Sequence, residues 1–266
     1  CILTWRVHWR RIAVIWFLLS IMTGIWCWKT QFLSNINENR TAGHDQTVTR
    51  ALFWNIGDRI WGMEHVINEL QQLDPDLIGL VEAGADSAEM KQFWKQSFPD
   101  HSYQVVQNGF VFLSRLPIAE ISAGRLADMG HYLNLQLASD RPDIRAPDVF
   151  LVDINSNVLK SRRAALNELA VQVSSLNQQP VLLLGDFNTP ADSVHFDPLR
   201  KTLQNSLEVA GDGYLATWPL PVPVLDLDGI WVNRFIKLHR AENRWTWVSD
   251  HRPVYIEMTF DSQQQK

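Results

Sequence analysis

The sequence predicts an α/β protein in which two mixed β-sheets pack together and helices cover their outer faces. Three observations favour this fold. Short apolar runs recur from residue 50 to residue 260, a few helical patterns lie between them, and several connections are too short for a helical crossover. The chain of 266 residues is long enough for one such domain of about 230–240 residues and an additional segment.

Composition excludes several other classes of protein. Hydrophobic residues make up 46% of the chain and charged residues 20%, which is unlike a disordered protein, and 13 Gly and 12 Pro are too few for a collagen. The two cysteines, Cys1 and Cys27, both lie near the N-terminus. The remainder of the chain therefore has no disulfide, cysteine nucleophile or cysteine-based zinc site.

The N-terminal segment predicts a single membrane-spanning helix. Ile12–Trp28 contains no charge and is within the length range of a spanning helix. Basic residues precede it and only Lys29 follows, which predicts a cytoplasmic N-terminus and an extracytoplasmic body. The preceding basic residues are Arg6, Arg10 and Arg11. Tryptophans, which are common at membrane interfaces, lie near both ends of the segment at Trp5, Trp9, Trp26 and Trp28.

Two other interpretations of this segment stay open. A cleaved signal peptide is one, although no small-x-small cleavage site closely follows Trp28. A buried core helix is the other, since apolar residues surround the whole helix. The predicted organisation is an anchor over residues 1–29, a polar linker over 30–49 and a domain over 50–262.

Each apolar run of the domain predicts a strand. The turn signal Asn108-Gly109 predicts a hairpin between two of them. The predicted strands are Ala51–Ile56, Leu77–Val81, Tyr103–Val106, Phe110–Leu113, Ile118–Ser122, Tyr132–Leu137, Val149–Ile154, Val181–Leu184, Ile230–Val232 and Val254–Met258.

Helical spacing predicts three helices. Trp61–Leu73 has apolar residues at helical intervals and ends before the turn Asp74-Pro75-Asp76. Ala88–Ser97 and Arg162–Leu176 follow the same spacing, and the latter has the most regular pattern of the three.

Polar residues follow or precede several of these strands. Asp and Asn are also common in turns, so the prediction rests on the whole set rather than on one position. Carboxylates suit Mg²⁺ or Mn²⁺, a histidine can donate to a phosphoryl oxygen, and amides donate without adding charge. The set therefore predicts metal-assisted cleavage of a phosphoester. Its members are Asn55, Glu82, Asp186, Asn188, Asp228, Asp250 and His251.

Six segments around these positions resemble the motifs of the endonuclease/exonuclease/phosphatase superfamily, which has the DNase I-like fold. They occur in the family's order over about residues 50–260, and together with the N-terminal segment they resemble a membrane-anchored bacterial-type member. The segments are WNI at 54–56, LIGLVE at 77–82, FLSRLPI at 112–118, GDFNTP at 185–190, LDGIWV at 227–232 and SDHRPV at 249–254.

The resemblance implies a four-layer αββα sandwich and a divalent metal, usually Mg²⁺ with Mn²⁺ as an alternative. It implies that Glu82 is the main metal ligand, with Asn55 beside it, and that Asp250 assists metal binding.

The resemblance also implies catalytic roles. Asp186 would orient or activate the attacking water, and Asn188 would contact that water or the scissile phosphate. His251, paired with Asp228, would stabilise the phosphoryl oxygens or act as an acid–base group. Asp226 is an alternative partner, but the motif places Asp228 better.

One motif departs from the family pattern. Family members often have a histidine at the end of the central strand, where this chain has LVDINSN at 151–157. Asp153 or Asn155 falls near that position, and Asn155 would supply only a hydrogen bond to the substrate. Arg162 and Trp218 are further candidates for substrate binding.

The sequence thus predicts a membrane-tethered, metal-dependent phosphodiesterase or phosphatase. The substrate stays open between a lipid-linked phosphate and a nucleic acid. Residues 30–266 contain 20 basic and 29 acidic residues, a net charge of −9 that disfavours nucleic acid, although local charge or a bound metal can override it. A catalytically silent binding module with the same fold and a true endonuclease are the alternatives. No obligate protein partner is inferred.

Overall fold

Two six-stranded mixed sheets face each other and helices cover both outer faces, which confirms the predicted four-layer αββα sandwich. The computed structural model of the chain describes residues 2–33, 48–57, 62–139, 145–176 and 178–260.

The helices and strands have the following bounds. The first half contains α1 (Ile2–Gln31), β1 (Phe32–Leu33), β2 (Thr49–Asn55), α2 (Met63–Leu73), β3 (Leu77–Val81), α3 (Ala88–Ser97), β4 (Tyr103–Gln107), β5 (Phe110–Ser114), β6 (Ile118–Leu126) and β7 (Gly130–Leu137). The second half contains β8 (Asp148–Ile154), α4 (Arg163–Ser174), β9 (Val181–Asp186), a 3₁₀ turn (Val194–Phe196), α5 (Asp197–Arg200), β10 (Gln204–Asn205), α6 (Ser206–Ala210), β11 (Gly213–Tyr214), β12 (Asp228–Val232), β13 (Ile236–Asn243) and β14 (Val254–Phe260).

The strand order defines the two sheets. The first sheet has the order β13-β14-β2-β3-β5-β4, and the second has the order β10-β12-β9-β8-β7-β6. Only the pairs β2–β3 and β8–β9 are parallel among these strands, and the other neighbours are antiparallel. β1 pairs with β11 outside both sheets.

Side chains of the two inner faces form the central core. Phe53 and Phe112 of the first sheet pack with Leu151 and Leu184 of the second, and all four are fully buried. The sheets approach closely at Gly79, where an added Cβ would lie 2.9 Å from a methyl carbon of each of these leucines. Alternating residues of each strand reach this core or an outer helix layer, because successive side chains of a strand point to opposite faces.

Amphipathic helices bury the outer faces. Helices α2 and α3 pack on the first sheet, while α4 and α5 pack on the second. Their buried side chains include Val66, Leu70 and Trp94 on one side and Leu166, Leu169 and Leu199 on the other.

Strand β13 is the main element that the sequence did not predict. Its sequence, IKLHRAEN, is rich in polar residues because it is an edge strand with one accessible face. A bulge between Leu238 and Arg240 also interrupts the alternation that would have revealed it. Helix α2 begins at Met63; the predicted start at Trp61 lies outside the described residues.

Helix α1 contains the predicted apolar segment. Its window Trp9–Trp26 has a mean hydropathy of 1.3 and no buried residue, so it is long and apolar enough to cross a membrane. Residues 34–47 of the predicted linker lie outside the described residues.

Candidate active site

The predicted site residues meet at one edge of the sandwich, between the two sheets. Strands β2 and β3 are parallel, so Asn55 at the end of β2 and Glu82 just after β3 reach the same edge. Strand β12 runs antiparallel to β9, which pairs its first residue, Asp228, with Asp186 at the end of β9. The residues before β14 arrive at this edge too, because β14 is antiparallel to β2.

Asn55 joins the two sheets at this edge. Its Nδ2 group donates to Oε1 of Glu82 at 3.1 Å and to Oδ2 of Asp186 at 2.9 Å. Its Oδ1 accepts the backbone N–H of Gly57 at 2.8 Å. A Cβ on Gly57 would collide with the Glu82 carboxylate, so the glycine leaves the space that this carboxylate occupies. Glu82 itself is exposed and has a left-handed φ of 53°.

His251 and Asp228 form a buried pair. Nδ1 of His251 lies 2.8 Å from Oδ2 of Asp228. The hydroxyl of Thr217 accepts the backbone N–H of Asp228 at 3.2 Å, and the indole of Trp54 donates to the carbonyl of His251 at 2.9 Å. Within the described residues, Oδ1 of Asp228 is buried with no hydrogen-bond partner. These contacts fix both the imidazole ring and its carboxylate.

Asp186 and Asn188 follow one another on a tight turn. The backbone N–H of Asn188 donates to Oδ1 of Asp186 at 2.9 Å, and the side-chain Nδ2 donates to the carbonyl of Ile154 at 2.7 Å. Asn188 has a left-handed φ of 46°, a conformation that Asn adopts more readily than most residues. The amide group is therefore tied to β8, while the residue lines the cleft.

Asp250 is held by two neighbours. The indole of Trp218 donates to its Oδ2 at 2.9 Å, and the hydroxyl of Ser249 lies 3.4 Å from its Oδ1. The same hydroxyl donates to the carbonyl of Asn55 at 2.9 Å and accepts the backbone N–H of His251 at 3.1 Å. Ser249 thus couples β2 to the segment that carries Asp250 and His251.

The site opens into a cleft of about 440 Å³. Arg162 and Trp218, two of the predicted substrate-binding residues, line it together with Val158. Asn155, the third, lies outside this cleft. It is exposed, its Oδ1 accepts the backbone N–H of Asn157 at 2.8 Å, and it lines a smaller adjacent cleft instead.

Three residues outside the predicted set contribute to the site. Asp153 is the Cα partner of Asp186 across β8 and β9, so its side chain points into the same space. In the sequence, Asp153 could be noticed because the segment 151–157 differs from the family pattern near this position. Ser249 could be noticed because it belongs to the motif SDHRPV. Thr217 had no signal in the sequence, because its role depends on the backbone of a distant strand.

Burial and like charge raise the pKa values of two carboxyl groups. Burial, and then the neighbouring Asp228, raise the pKa of Asp186 well above its ordinary value. Burial raises the pKa of Asp153 to about 6, with repulsion from Glu82 and Asp228 adding to the shift. Burial alone would lower the pKa of His251, but attraction to Asp228 and to other carboxylates raises it to about 10. The imidazole is therefore cationic at neutral pH.

This edge fits a divalent cation. Carboxylate oxygens of Asp186 and Asp228 lie within 4.8 Å of each other, and Glu82 is nearby through its hydrogen bond to Asn55. A cation would relieve the repulsion among the carboxylates, and carboxylate and amide oxygens suit Mg²⁺ or Mn²⁺. Because Asp228 already engages His251, the exposed carboxylate of Glu82 is the more accessible ligand.

Comparisons with solved structures support the same fold. An endonuclease/exonuclease/phosphatase family protein from Bacteroides thetaiotaomicron superposes with a TM-score of 0.66 at 16% identity, covering 82% of this chain and 100% of that one. The mannosyl-6-phosphatase Bt3783 of the same species gives 0.61 at 15% identity, covering 80% and 100%. The catalytic domain of human Nocturnin gives 0.61 at 16% identity, covering 80% and 95%.

Sequence comparison identifies the family. No curated protein matches the chain significantly. The sequence model of the Endonuclease/Exonuclease/phosphatase family matches residues 52–251, which are three quarters of the chain and include every predicted site residue. The chain therefore belongs to the endonuclease/exonuclease/phosphatase family.

Proposed function

We propose that this protein is a divalent-metal-dependent hydrolase that cleaves a phosphoester presented at a lipid surface. Members of its family are phosphoester hydrolases. The observation that carries the proposal is the arrangement in one cleft of the His251–Asp228 pair, the Asp186 carboxylate and the Asn55–Glu82 contact.

Glu82, Asn55 and Asp250 would hold the metal. When bound there, a divalent cation offsets negative charge on the phosphoryl oxygens and polarises the phosphorus. Asn55 supplies its amide, which orients the carboxylates of Glu82 and Asp186 through hydrogen bonds of 3.1 and 2.9 Å. Trp218 fixes the carboxylate of Asp250 by its indole N–H.

Asp186 is the group that receives a proton from the attacking water. Burial and the adjacent Asp228 raise its pKa, which makes its carboxylate a better base than an exposed one. The amide of Asn55 and the backbone N–H of Asn188 each donate to one of its oxygens, which fixes the carboxylate plane. Asn188 lines the cleft beside it and would help to position the water.

His251 stabilises the negative charge on the phosphoryl oxygens. Its Nδ1 is occupied by Asp228, so Nε2 is the nitrogen that can donate to a phosphoryl oxygen. The pKa of about 10 keeps the ring protonated at neutral pH. A cationic donor that is already fixed in place stabilises the transition state more than a mobile one, because it does not have to reorient during the reaction. Asp228 thus has a positioning and electrostatic role.

Exposed apolar side chains at and near the cleft favour a lipid surface over a nucleic acid. Val158 lines the cleft and is 84% exposed, and its sequence neighbour Leu159 is 91% exposed. Val222 is 70% exposed on the loop between Trp218 and Leu225, which both line the cleft. Apolar rims would insert between lipid headgroups, and α1 would hold the domain near them. The net charge of −9 over residues 30–266 disfavours a nucleic acid.

A substrate panel with the full chain in detergent tests the activity. The panel contains bis-p-nitrophenyl phosphate, p-nitrophenyl phosphate, plasmid DNA, RNA and a lipid pyrophosphate, each with Mg²⁺, Mn²⁺ or EDTA. We expect metal-dependent hydrolysis that falls by roughly 100-fold or more in Asp186→Ala and His251→Ala. No hydrolysis by a folded protein would instead favour a silent binding module, and preferential cleavage of DNA or RNA would favour a nuclease.

The rim is tested separately. Val158→Ser should slow hydrolysis of a phosphoester lipid in anionic vesicles, because the exposed side chain that lines the cleft no longer inserts into the bilayer. Val171→Ser is the matched control, since Val171 is 69% exposed on α4 and does not line the cleft. Equal rates for the two variants on vesicles would contradict a role for the rim.

A further inference from the structure

Five charged or titratable residues form one row across five neighbouring strands of the second sheet. Asp228 pairs with Asp186, Asp186 with Asp153, Asp153 with His131 and His131 with Arg125, each as a direct Cα partner. Directly paired residues project from the same face of a sheet. The row therefore lies on the inner face and continues the active site towards the sheet edge.

The far end of this row lines its own cleft. This cleft of about 310 Å³ lies at the β6–β7 turn, next to the end of β8. Arg125, His131, Asp128, Asp153 and Asn155 supply its polar side chains. Asp153 lines this cleft and is the direct Cα partner of Asp186, which lines the active-site cleft. The two clefts are therefore neighbours.

The wall of this cleft is held in place by backbone hydrogen bonds. The N–H of Ala127 donates to Oε2 of Glu168 on α4 at 2.5 Å, and the carbonyl of Met129 accepts the N–H of Asn155 at 2.6 Å. Met129 is buried beneath the turn. The β6–β7 turn is thus tied both to a helix and to the strand that carries Asp153.

The arginine and the histidine of the row have no structural task among the described residues. Arg125 and His131 are exposed, and neither forms an ion pair or a side-chain hydrogen bond within the part of the chain that the structure describes. A guanidinium presents a planar set of donors that matches a phosphate, and an adjacent imidazole can donate as well. The carboxylate of Asp153 lies between this pair and Asp186.

We propose that this cleft binds a second phosphate of the substrate, separated from the scissile phosphate by an uncharged, hydroxyl-bearing spacer. Strands lie about 4.8 Å apart, so Arg125 is three spacings, or about 14 Å, from Asp186 at the backbone, and its long side chain shortens that span. The carboxylate of Asp153 would accept a hydrogen bond from a hydroxyl group of the spacer. Its negative charge would repel an anionic group at the same place, which is why the spacer is uncharged. The inference rests on the proposed function, since it extends the same site.

Binding of two sugar phosphates tests the proposal. Isothermal titration calorimetry on the full chain in detergent with excess Mg²⁺ compares fructose 6-phosphate with fructose 1,6-bisphosphate. We expect the bisphosphate to bind at least about tenfold more tightly, and Arg125→Ala to remove that preference while it leaves the monophosphate affinity unchanged. Asp128→Asn removes a nearby negative charge and should strengthen bisphosphate binding several-fold.

Controls separate this proposal from the proposed function. Lys237→Ala removes an exposed charge from the edge strand of the first sheet and should leave both affinities unchanged. Equal affinities for the two sugar phosphates, no binding of either, or a preference that survives Arg125→Ala would each overturn the second phosphate site. Hydrolysis of bis-p-nitrophenyl phosphate by the same preparation tests the proposed function independently. A preference lost in Arg125→Ala without any hydrolysis would support the site and contradict the activity.

Discussion

The carboxylate of Asp228 lies 2.8 Å from Nδ1 of His251, and the two side chains are almost completely buried. Asp228 begins β12 of the second sheet and His251 lies just before β14 of the first sheet, so the pair bridges the sandwich at the edge of the site. The hydrogen bond fixes the proton on Nδ1 and leaves Nε2 to face the cleft. It also keeps the imidazole protonated, because the carboxylate stabilises its positive charge.

Replacing Asp228 by Asn should move the alkaline limit of activity. The carboxylate is the main cause that raises the pKa of His251 to about 10, and without it only the smaller effects of Asp186 and Asp250 oppose the lowering by burial. A deprotonated ring cannot donate from Nε2. The limb of kcat/KM that falls near pH 10 in the unaltered protein should therefore move to lower pH in Asp228→Asn. Asp212→Asn, an exposed aspartate, is the control. An unchanged pH profile in Asp228→Asn would contradict this role.

Glu82→Gln should lower the affinity for the metal more than it lowers the stability of the fold. The exposed carboxylate of Glu82 is held by the amide of Asn55, and loss of its charge lowers affinity for a hard cation. We expect the Mg²⁺ concentration for half-maximal activity to rise by about tenfold or more. Glu64→Gln, on the exposed face of α2, is the matched control. A metal titration that is the same for both variants would exclude Glu82 as a ligand.

The apolar runs predicted the fold because a continuous run of apolar residues is typical of a strand that is buried on both faces. Leu77–Val81 and Val181–Leu184 are buried on both faces, and strands of this kind are visible without knowledge of their neighbours. The motifs likewise predicted Asn55, Asp186 and His251 as site residues, since each lies at or close to a strand end. The position of Asp153 beside Asp186 was not predictable in this way, because it depends on the register between β8 and β9.

The second cleft was hidden from the sequence for the same reason. Arg125 and His131 are 28 and 22 residues from Asp153, and only two antiparallel registers place them in one row. Each of these two residues, considered alone, is of a type that is common in an exposed hairpin. Similarly, nothing in the sequence distinguishes Thr217 from other threonines, although it accepts the backbone N–H of Asp228.

Arg252→Met should destabilise the domain. The buried guanidinium donates to the carbonyls of Tyr214, Ala216 and Asn243 at 2.9, 2.7 and 2.6 Å. Methionine fills similar space but leaves these buried acceptors without a donor, and we expect the free energy of unfolding to fall by about 3 kcal/mol or more. Urea denaturation followed by circular dichroism measures it. Arg240→Met, which loses only an exposed ion pair, should cost less than about 1 kcal/mol. Equal losses would contradict the structural role of Arg252.

The stability of the domain should depend on Asp226 between about pH 4 and pH 6. Burial raises its pKa from 3.8 to about 6, although the backbone N–H of Ala191 donates to it at 3.3 Å. Within that window the folded protein keeps a proton that the unfolded chain has released, so the contribution of Asp226 to stability falls as the pH rises.

Asp226→Asn should remove this pH dependence. Relative to the unaltered protein, the variant should gain about 2 kcal/mol of stability on going from pH 4 to pH 7, since its amide does not ionise. Urea denaturation in EDTA at both pH values measures the difference. A variant with the same relative stability at pH 4 and pH 7 would show that Asp226 titrates normally in the folded protein.

Helix α1 should hold the protein in the membrane without help from the domain. None of the residues in its window Trp9–Trp26 is buried among the described residues, so their apolar side chains are available for insertion into a bilayer. We expect the full chain to remain in the membrane pellet after an alkaline carbonate wash. Replacing Leu18 and Leu19 by Arg should release it, because charged side chains at the centre of a span are costly. Replacing Val158 and Leu159 by Ser is the control: these cleft-rim side chains would affect vesicle hydrolysis but not retention. Release of the unaltered chain by carbonate would contradict the anchor and would leave the rim as the means by which the domain reaches a lipid substrate.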